Sequence, residues 1–267
     1  MKYYVVADTH GFFAPLRTAL EKAGFFEEKQ PCKLVLCGDL LDRGPGAREL
    51  QDFMLELLQE DRLIYVRGNH EDLMEDLLDD LDAGDLWDIA SGRSHHVKNG
   101  TWQTLLQLTG MRHDYALVRP REAWLKMRNT PFWRKLLPAA VDFFETERYV
   151  FVHGWIPCTT NAPSPVYRES NTYFYRPDWR AASDRDWRHA RWYNGIDFAW
   201  RRKLTVHGKT VVCGHWHASF GHSFIEQSCS EFGEDADHTP FYADGLIAMD
   251  ACTVRSGFVN CIVLEDD

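Results

Sequence analysis

The stretch LIYVRGNHE, residues 63–71, passes from apolar to polar side chains without an intervening loop. Its first four residues are aliphatic or aromatic, as in a strand that is buried on both faces. Its last five residues supply a guanidinium group, a glycine, an amide, an imidazole and a carboxylate. In open α/β sheets, ligands bind at the carboxyl ends of the strands. The stretch therefore predicts a buried strand that leads directly into a functional site.

The same change of character occurs at four other places along the chain. Apolar runs rich in Val, Ile, Leu and Tyr lie at residues 3–7, 33–37, 149–152 and 210–213. They are followed by Asp8-Thr9-His10, Gly38-Asp39, His153-Gly154 and Gly214-His215-Trp216-His217. A single aspartate after a strand is usually a turn residue or a helix cap, and a single histidine usually has a structural role. The repetition of the pattern favours one shared site instead.

The segments between the first three strands have helical periodicity. Apolar residues within 50–58 recur at the i, i+3, i+4 and i+7 positions of one helix face. Those within 73–81 do the same, and Gly84 is placed to end that helix. A weaker third helix is expected over residues 15–23. The resulting β-α-β-α-β-α order predicts a largely parallel sheet that is covered by helices.

The remaining segments are less regular. Residues 85–147 are expected to be mostly helical or irregular, and residues 155–208 to form long loops with short helices. The tail, residues 245–266, has apolar runs on both sides of a turn at 255–257 and is predicted to form two antiparallel strands. The stretch 176–203 holds seven arginines and one lysine against four aspartates. It is either a surface paired with its own aspartates or a lid that receives an anionic substrate.

Composition restricts the class of protein. The 267 residues suffice for one large domain or two small ones, and 45% hydrophobic and 26% charged residues are ordinary globular values. No apolar run approaches the length of a membrane span, and the first residues lack the features of a signal peptide. Seven scattered cysteines without a C-x-x-C pattern predict free thiols in a reducing compartment, hence the cytoplasm. The net charge of −10 disfavours binding to duplex nucleic acid.

The residue types at the five strand ends suit divalent metal ions. Aspartate, asparagine and histidine are ligands of Mn²⁺, Fe and Zn²⁺, and no cysteine that would indicate a structural zinc site stands there. Seven such donors are too many for one tetrahedral ion and suit two ions with open coordination positions. Asp39 is the natural bridging carboxylate. Metal pairs of this kind clamp the attacking and leaving oxygens of a phosphoryl transfer and activate a water molecule.

Taken together, these sequences resemble the motifs of the calcineurin-like metallophosphoesterases. They are DTHG (8–11), GDLLDRGP (38–45), RGNHE (67–71), HG (153–154) and GHWH (214–217). GDLLDRG and GNHE are most similar to the phosphoprotein phosphatase branch, which includes serine/threonine protein phosphatases and symmetrical bis(5'-nucleosyl)-tetraphosphatases. The resemblance implies an α/β fold, an αββα sandwich of two mixed sheets flanked by helices. It also implies a single domain over residues 1–267, with cap-like insertions at about 83–147 and 155–208.

The resemblance implies that Asp39 bridges two divalent ions, with Mn²⁺ expected and Fe or Zn²⁺ as the alternatives. The other ligands that it implies are Asp8 and His10 on the first ion and Asn69, His153 and His215 on the second. His217 departs from the branch, because many of its protein phosphatases have no histidine there, whereas other calcineurin-like enzymes use one on the first ion. Alternation along the strand points His217 to the same face as His215, so it is also expected to be a ligand.

The resemblance implies catalytic roles for three further residues. His70 would be the general acid that protonates the leaving oxygen, and Asp42 would orient it. An imidazole beside a carboxylate can stay protonated near neutral pH, which agrees with this role. Arg43 would grip phosphate oxygens, because a guanidinium fork suits a tetrahedral oxyanion. Glu71 is expected only to cap or support the helix that follows.

A second phosphate-binding arginine usually stands upstream of the G-H motif in this branch, often after a Trp-Asn or Trp-Ser pair. The nearest stretch here is ARWYNG, residues 190–195, where Asn194 stands near the expected arginine and Arg191 is the closest basic residue. Arg191 and Asn194 are therefore candidates for binding the phosphorylated substrate alongside Arg43. Most of the ten tryptophans are expected to pack in the core or the cap. The alternative is that one or two near the cleft, such as Trp155 or Trp216, stack on a nucleobase or an aromatic phosphoester.

Two activities with the same metal chemistry stay open at this point. The leading hypothesis is a phosphomonoesterase of the serine/threonine protein phosphatase type, acting on phosphoproteins or small phosphoesters. The alternative is a bis(5'-nucleosyl)-tetraphosphatase or another nucleotide phosphohydrolase. A metal-bound module that only binds phosphate is disfavoured, because it has no need of a proton donor such as His70. A nuclease is disfavoured by the acidic charge.

Overall fold

The computed structural model describes residues 1–84, 86–160 and 172–266, which form two facing β-sheets with helices around them. The elements before residue 140 are β1 (Lys2–Val6), α1 (Phe13–Ala23), β2 (Cys32–Cys37), α2 (Ala47–Gln59), β3 (Leu63–Val66), α3 (Asn69–Ala83), α4 (Trp87–Ala90), α5 (His95–Asn99), α6 (Thr101–Thr109), α7 (His113–Val118), α8 (Pro120–Arg128), a π-helical turn (Phe132–Leu136) and α9 (Leu137–Ala139). The later elements are β4 (Phe144–Glu145), β5 (Tyr149–Phe151), β6 (Thr159–Thr160), β7 (Tyr173–Phe174), a 3-10 turn (Trp179–Ala181), α10 (Asp184–Ala190), a π-helical turn (Asp197–Arg201), β8 (Thr210–Cys213), α11 (Ala218–Gly221), a further π-helical turn (His222–Glu226), β9 (Phe241–Ala243), β10 (Leu246–Ala248), α12 (Thr253–Ser256) and β11 (Ile262–Glu265).

The first sheet has the strand order β11-β1-β2-β3. Strands β1, β2 and β3 are parallel, with Val5 opposite Val35 and Leu36 opposite Tyr65, whereas β11 is antiparallel to β1. The second sheet has the order β4-β5-β8-β10-β9, in which the three central strands are parallel and both edge strands are antiparallel. In each sheet, the loops that follow the parallel strands therefore leave from one edge.

Side chains alternate between two cores along the buried strands, as the pleat of a strand requires. Val35 of β2 packs with Val212 of β8 in the core between the two sheets. Its neighbours Leu34 and Leu36 point the other way and join the core beneath the helices. The apolar stripe of α2 that the sequence predicted is buried in that second core.

Helices α6 and α8 pack against α2 and α3 and extend the helical layer over the first sheet. Trp102 and Leu105 of α6 and Met127 of α8 are buried in the same core as Leu34. The segment 83–147 thus contributes to the layer that supports the strands. Of the second segment, 155–208, residues 161–171 lie outside the described residues, and the remainder forms β6, β7, α10 and short helical turns. Across the part of the chain that the structure describes, no helix is both long and apolar enough for a membrane span.

The five strands expected from the apolar runs are confirmed, as are the three helices expected between and after the first three. Gly84 ends α3 in the left-handed conformation, with a φ of 76°. The fold class is also confirmed, because two mixed sheets lie between helices.

The prediction that residues 245–266 form a pair of antiparallel strands is wrong. Strand β10 lies between β8 and β9 in the second sheet, whereas β11 pairs with β1 in the first. Helix α12 occupies most of the expected turn and ends at Gly257. Two strands that belong to different sheets show the same apolar runs as a hairpin, so periodicity could not separate the two cases.

Candidate active site

The loops that follow β1, β2, β5 and β8 are joined by hydrogen bonds between the two sheets. The Asp8 N–H donates to the Gly38 carbonyl at 3.2 Å, and the His215 N–H donates to both carboxylate oxygens of Asp8 at 3.0 Å. His153 Nδ1 donates to the Cys37 carbonyl oxygen at 2.9 Å. Candidate residues that are far apart in the sequence therefore lie in one cleft.

One group of donors, named here the Asn69 side, consists of Asp39, Asn69, His153 and His215. His153 Nε2 lies 2.7 Å from Asn69 Oδ1 and 3.3 Å from Asp39 Oδ1, and His215 Nδ1 lies 3.0 Å from Asn69 Oδ1. Because His153 Nδ1 donates to a carbonyl, a neutral ring would carry its lone pair on Nε2. That nitrogen and the amide oxygen face each other as two acceptors, an arrangement that a shared cation would stabilise.

The second group, named here the His10 side, consists of Asp39, His10 and His70. Asp39 Oδ2 lies 3.7 Å from His10 Nε2 and 3.8 Å from His70 Nε2. Asp39 belongs to both groups, with Oδ1 towards the Asn69 side and Oδ2 towards the His10 side. The ligand atoms of His10, Asp39 and His70 lie within 4.8 Å of one another, and so do those of Asp39, His153 and His215. The donor set fits two divalent cations that share Asp39.

The protonation of these groups suits cation binding. Burial, together with the nearby His70, lowers the pKa of His10 well below its ordinary value. Burial and the neighbouring His153 lower the pKa of His215 to about 3. Burial acts to raise the pKa of Asp39, but the surrounding imidazoles, His153 first, outweigh it and lower that pKa. The lowered pKa values of His10 and His215 favour their neutral rings, and that of Asp39 favours its ionised carboxylate, which are the forms that bind metals.

Asp250 is a site residue that the sequence reasoning missed. Burial and the nearby Asp250 and Asp39 raise the pKa of Asp8 well above its ordinary value. Asp250 is itself buried, and its Oδ1 accepts the Cys252 N–H at 2.6 Å. Buried carboxylates close together are stabilised by cations. A signal was present, because Asp250 follows the apolar run LIAM as Asp8 follows YYVVA.

His70 and Asp42 form a buried pair, with His70 Nδ1 donating to Asp42 Oδ2 at 2.7 Å. Burial acts to lower the pKa of His70, but Asp39 and Asp42 outweigh it and raise that pKa above its ordinary value. The raised pKa favours the doubly protonated ring, whose Nε2, the nitrogen on the cleft side, can donate a proton once the Arg43 guanidinium 3.1 Å away has moved off it.

Two threonines of α6 hold the Asp42 carboxylate in place. Thr101 Oγ1 donates to Oδ2 at 2.8 Å, and Thr104 Oγ1 donates to Oδ1 at 2.6 Å. Thr104 Oγ1 also accepts the Asp42 N–H at 3.0 Å, and both threonines are fully buried. Sequence reasoning missed them, because α6 follows no strand and carries none of the recognised motifs.

The Arg43 guanidinium lies across the two imidazoles of the His10 side. Its Nη1 is 2.9 Å from His10 Nε2, and its Nη2 is 3.1 Å from His70 Nε2. Residue 43 is exposed, in contrast to the buried histidines beneath it. Arg43 therefore brings a fixed positive charge to the open side of the cleft, where an anion can reach it.

Backbone conformation separates the site from the rest of the fold. Among the described residues, ten other than glycine have a positive φ, and six of them are candidate site residues: Asp8 (51°), His10 (46°), Asp39 (55°), Asp42 (75°), Arg43 (64°) and His215 (65°). The adjacent glycines permit close approach, since a Cβ on Gly214 would lie 2.0 Å from Asp8 Oδ2 and one on Gly68 2.2 Å from Asp39 Oδ1. Left-handed conformations concentrate at sites where function requires a particular geometry.

Glu71 supports the helix that follows, as expected, and also joins two loops. Its carboxylate accepts the Gly68 N–H at 2.7 Å, which caps the start of α3. It accepts the N–H groups of Asp39 and Leu40 at 3.1 Å each. Glu71 therefore ties the loop after β2 to the start of α3.

Three candidates make other contacts. Arg191 is 2% exposed, and its Nη1 donates to both carboxylate oxygens of Asp72, at 3.0 and 2.8 Å, while its Nη2 donates to Asp142. The expectation that Arg191 grips the substrate is therefore wrong, because its guanidinium is enclosed and paired. Asn194 Oδ1 accepts the N–H of residue 197 at 3.1 Å, at the start of a π-helical turn. His217 joins neither donor group among the described residues, and its Nε2 lies 2.9 Å from Glu231 Oε1.

The tryptophans near the cleft differ from one another in exposure. Trp155 is fully buried, and its indole donates to the Leu204 carbonyl at 3.0 Å, so it cannot stack on a ligand. Trp216 is half-buried, and its ring is stacked on that of His217. Trp192, which the sequence did not single out, is 38% exposed, and its ring centroid lies 5.7 Å from that of His215.

A family model and several known proteins match parts of this chain. A family model described as calcineurin-like phosphoesterase matches residues 1–219. A stretch of 78 residues is 36% identical to an asymmetrical bis(5'-nucleosyl)-tetraphosphatase of Anoxybacillus flavithermus, covering 27% of this chain and 32% of that protein. A stretch of 73 residues is 41% identical to serine/threonine-protein phosphatase 1 of Salmonella typhimurium, covering 27% and 31%. A longer match of 137 residues is 30% identical to a symmetrical bis(5'-nucleosyl)-tetraphosphatase of Thioalkalivibrio sulfidiphilus, covering 45% and 49%.

The matched stretches span less than half of each of these relatives. The fold itself extends further. A solved structure of a cold-active protein-tyrosine phosphatase from a psychrophilic Shewanella covers 99% of this chain and 75% of that chain, with a TM-score of 0.50 and 15% identity. At this identity the likeness concerns the architecture alone.

Proposed function

Because the chain belongs to the calcineurin-like phosphoesterase family, we propose that it hydrolyses phosphoesters with two divalent metal ions. The observation that carries the proposal is the position of Asp39, whose two carboxylate oxygens face separate groups of imidazoles. The residues that would hold the ions are Asp8, His10, Asp39, Asn69, His153 and His215. Manganese is the proposed metal, since carboxylate, amide and imidazole ligands suit it. When bound, the ions supply Lewis-acid polarisation of the phosphoryl group and activation of water.

His70 is the proposed general acid. Its contact with Asp42 fixes the proton on Nδ1 and aims Nε2 towards the cleft, on the same side as Asp39. A protonated Nε2 there would transfer its proton to the leaving oxygen as the bond to phosphorus breaks. The hydroxyls of Thr101 and Thr104 hold the Asp42 carboxylate in place against the imidazole, which supports the charged form of that ring.

Arg43 is the proposed phosphate-binding residue. Its guanidinium is the exposed cation next to both imidazoles of the His10 side, and its planar donors suit two oxygens of a phosphoryl group. A phosphate anion bound to Arg43 would replace the two imidazoles as partners of the guanidinium. The Nε2 atoms of His10 and His70 would then be free of that contact.

The proposed substrate class is the phosphomonoesters of the serine/threonine protein phosphatase type. The stretch of 41% identity to a protein of that name supports it. A second candidate is the hydrolysis of nucleoside polyphosphates, which the similarity to two tetraphosphatases supports. Because Arg191 is enclosed, one expected contact to the substrate phosphate is missing. The choice between the two substrate classes therefore depends on contacts with the part of the substrate beyond the reacting phosphoryl group.

A cytoplasmic location is proposed from the cysteines. All seven are free, and Cys32, Cys37 and Cys213 are buried among apolar side chains. Free thiols in this number are usual in a reducing compartment.

The test of this proposal is a substrate panel with protein stripped of metal and then reloaded with Mn²⁺. We expect that the stripped protein is inactive and that the reloaded protein hydrolyses p-nitrophenyl phosphate. Faster turnover of phosphoserine and phosphothreonine peptides than of diadenosine tetraphosphate would support the leading candidate, and the reverse order would support the second. If the reloaded protein hydrolysed none of these compounds, the proposal would be wrong.

A further inference from the structure

Trp192 presents an aromatic surface beside the Asn69 side of the cleft. Its indole meets the His215 ring edge to face, with centroids 5.7 Å apart and planes at 83°. The indole is 38% exposed, although the side chains on either side of it along the chain, Arg191 and Tyr193, are buried or half-buried. An exposed tryptophan next to a buried and charged cleft is a surface on which a flat ring can pack.

The backbone that carries Trp192 is firmly held. Arg191 is enclosed and paired with Asp72 of α3 and with Asp142, as described above. A Cβ on Gly154, the residue after His153, would lie 2.5 Å from the Ala190 carbonyl oxygen and 2.7 Å from that of Arg191. The segment 190–195 therefore lies directly against the loop that bears His153. A platform of this kind needs little ordering when a ligand arrives.

Other aromatic side chains near the cleft are less suited to this role. Trp216 also approaches His215, with a centroid distance of 6.2 Å, but it is half-buried and stacked on His217. Phe232 packs against His217 at 4.9 Å and carries the Arg255 guanidinium over its ring. Trp192 combines exposure with direct contact to a residue of the Asn69 side.

We propose that Trp192 forms a subsite that stacks a planar aromatic ring in the leaving group of the phosphoester. This inference rests on the proposed function, because the ring would be carried by a phosphoryl group bound between the Asn69 and His10 sides. The shared chemistry is a flat π-system joined to phosphate, which either a nucleobase or an aryl ester supplies. Stacking on tryptophan strengthens binding by about 5- to 100-fold for each ring, with little selectivity between rings.

The test compares the effect of one substitution on ligands with and without an aromatic ring. The full chain is loaded with Mn²⁺ and assayed with diadenosine tetraphosphate, p-nitrophenyl phosphate, tripolyphosphate and phosphoserine, of which the last two carry no ring. We expect that Trp192→Ala raises KM about 10-fold for the ligands with rings and leaves the KM of the other two within about 2-fold. Trp192→Phe should retain most of the affinity, since it keeps a flat ring.

The matched control is Trp200→Ala, because Trp200 is also exposed but lies against the Lys203 ammonium group rather than a site histidine. It should leave all four KM values unchanged. An effect of Trp192→Ala on diadenosine tetraphosphate alone would identify a nucleobase as the ring, and an effect on p-nitrophenyl phosphate alone would identify an aryl ester. Equal losses on all four substrates, or the same pattern in Trp200→Ala, would overturn the subsite.

A binding measurement separates this inference from the proposed function. By calorimetry, adenosine monophosphate and p-nitrophenyl phosphate analogues that resist hydrolysis should bind more tightly than inorganic phosphate, and Trp192→Ala should remove that advantage. This result would support the subsite even if no substrate were turned over. If inorganic phosphate bound as tightly as both ring-bearing ligands to the unaltered protein, the subsite would be refuted whatever the activity. Thermal unfolding of both alanine variants establishes that they are folded.

Discussion

The Asn69 side and the His10 side of the cleft share Asp39 but differ in what surrounds the imidazoles. On the Asn69 side, His153 Nε2 faces the oxygens of Asn69 and Asp39. On the His10 side, the Arg43 guanidinium donates towards both His10 and His70. The ligand atoms of the Asn69 side therefore face one another, whereas the nitrogens of the His10 side already have a guanidinium against them.

This difference indicates how the two ions would be bound. An ion on the Asn69 side meets preformed ligands, whereas an ion on the His10 side must first displace the guanidinium. We therefore expect two unequal affinities for a divalent metal, with the tighter site on the Asn69 side. Four substitutions either remove this difference between the two sides or measure its size.

The largest effect is expected from Asp39→Asn, because it removes the carboxylate that both sides share. Activity should fall by about 1000-fold or more, since the metal-derived stabilisation of the transition state is worth several kcal/mol. Elemental analysis should show that less than two equivalents of metal are retained. Asp61→Asn is the matched control, because Asp61 also has a positive φ, of 55°, but is exposed in the loop before β3, whereas the cleft residues follow that strand. Full retention of both ions in Asp39→Asn would contradict the shared ligand.

His70→Asn should lower kcat by about 100- to 10,000-fold, the range for loss of a general acid. The loss should be large for substrates with a poor leaving group, such as phosphoserine. It should be much smaller for 2,4-dinitrophenyl phosphate, whose leaving group needs no proton. Steady-state kinetics with both substrates measure this contrast. An equal loss on the two substrates would assign His70 to metal binding on the His10 side instead.

Arg43→Ala should weaken competitive inhibition by inorganic phosphate by about 10- to 100-fold, because a charge-assisted pair of hydrogen bonds is lost. It should also strengthen binding of the weaker metal ion, since no guanidinium then has to be displaced. Metal titration by calorimetry and inhibition kinetics measure the two effects. Arg48→Ala, which removes an exposed arginine of α2, is the control. Unchanged metal affinity would remove the proposed difference between the two sides.

The smallest effect is expected from Thr104→Val, which removes one hydroxyl from Asp42 and keeps the side-chain volume. We expect a loss of about 3- to 10-fold in kcat for poor leaving groups and no loss for 2,4-dinitrophenyl phosphate, because Thr104 would act through His70. Stability should fall by about 1–3 kcal/mol, since a buried acceptor loses a donor. Thr109→Val in the same helix is the control, since its hydroxyl donates to the Leu105 carbonyl. A loss on both substrates would indicate a structural role alone.

The donors of both sides could be predicted because each follows directly on a strand. A strand of three to six residues positions its carboxyl end accurately, and the second residue after it inherits that position. Asp8, Asp39 and His153 were found in this way, and Asp250 could have been found by the same rule. The prediction needed the order of elements alone and no knowledge of how distant segments pack.

The supporting residues could not be predicted, because their positions depend on packing between segments. Thr104 reaches Asp42 only because α6 packs on α2 and α3. Arg191 was mistaken for a ligand of phosphate because its ion pairs with α3 leave no local pattern. The prediction for residues 245–266 was wrong for a related reason. Apolar periodicity reports burial but does not reveal which of two sheets a strand joins.

The left-handed backbone at the site also limits which sequences can occupy it. Among residues with a side chain, asparagine and aspartate adopt this conformation most readily, and they are also oxygen donors to metal ions. At Asp8 and Asp39, the loop geometry and the chemistry therefore select the same small set of side chains. Glutamate would supply the negative charge, but it does not favour the left-handed backbone. Glycine would favour that backbone, but it supplies no charge. Evolution of a different chemistry in this cleft would thus have to begin by redesigning the turns themselves.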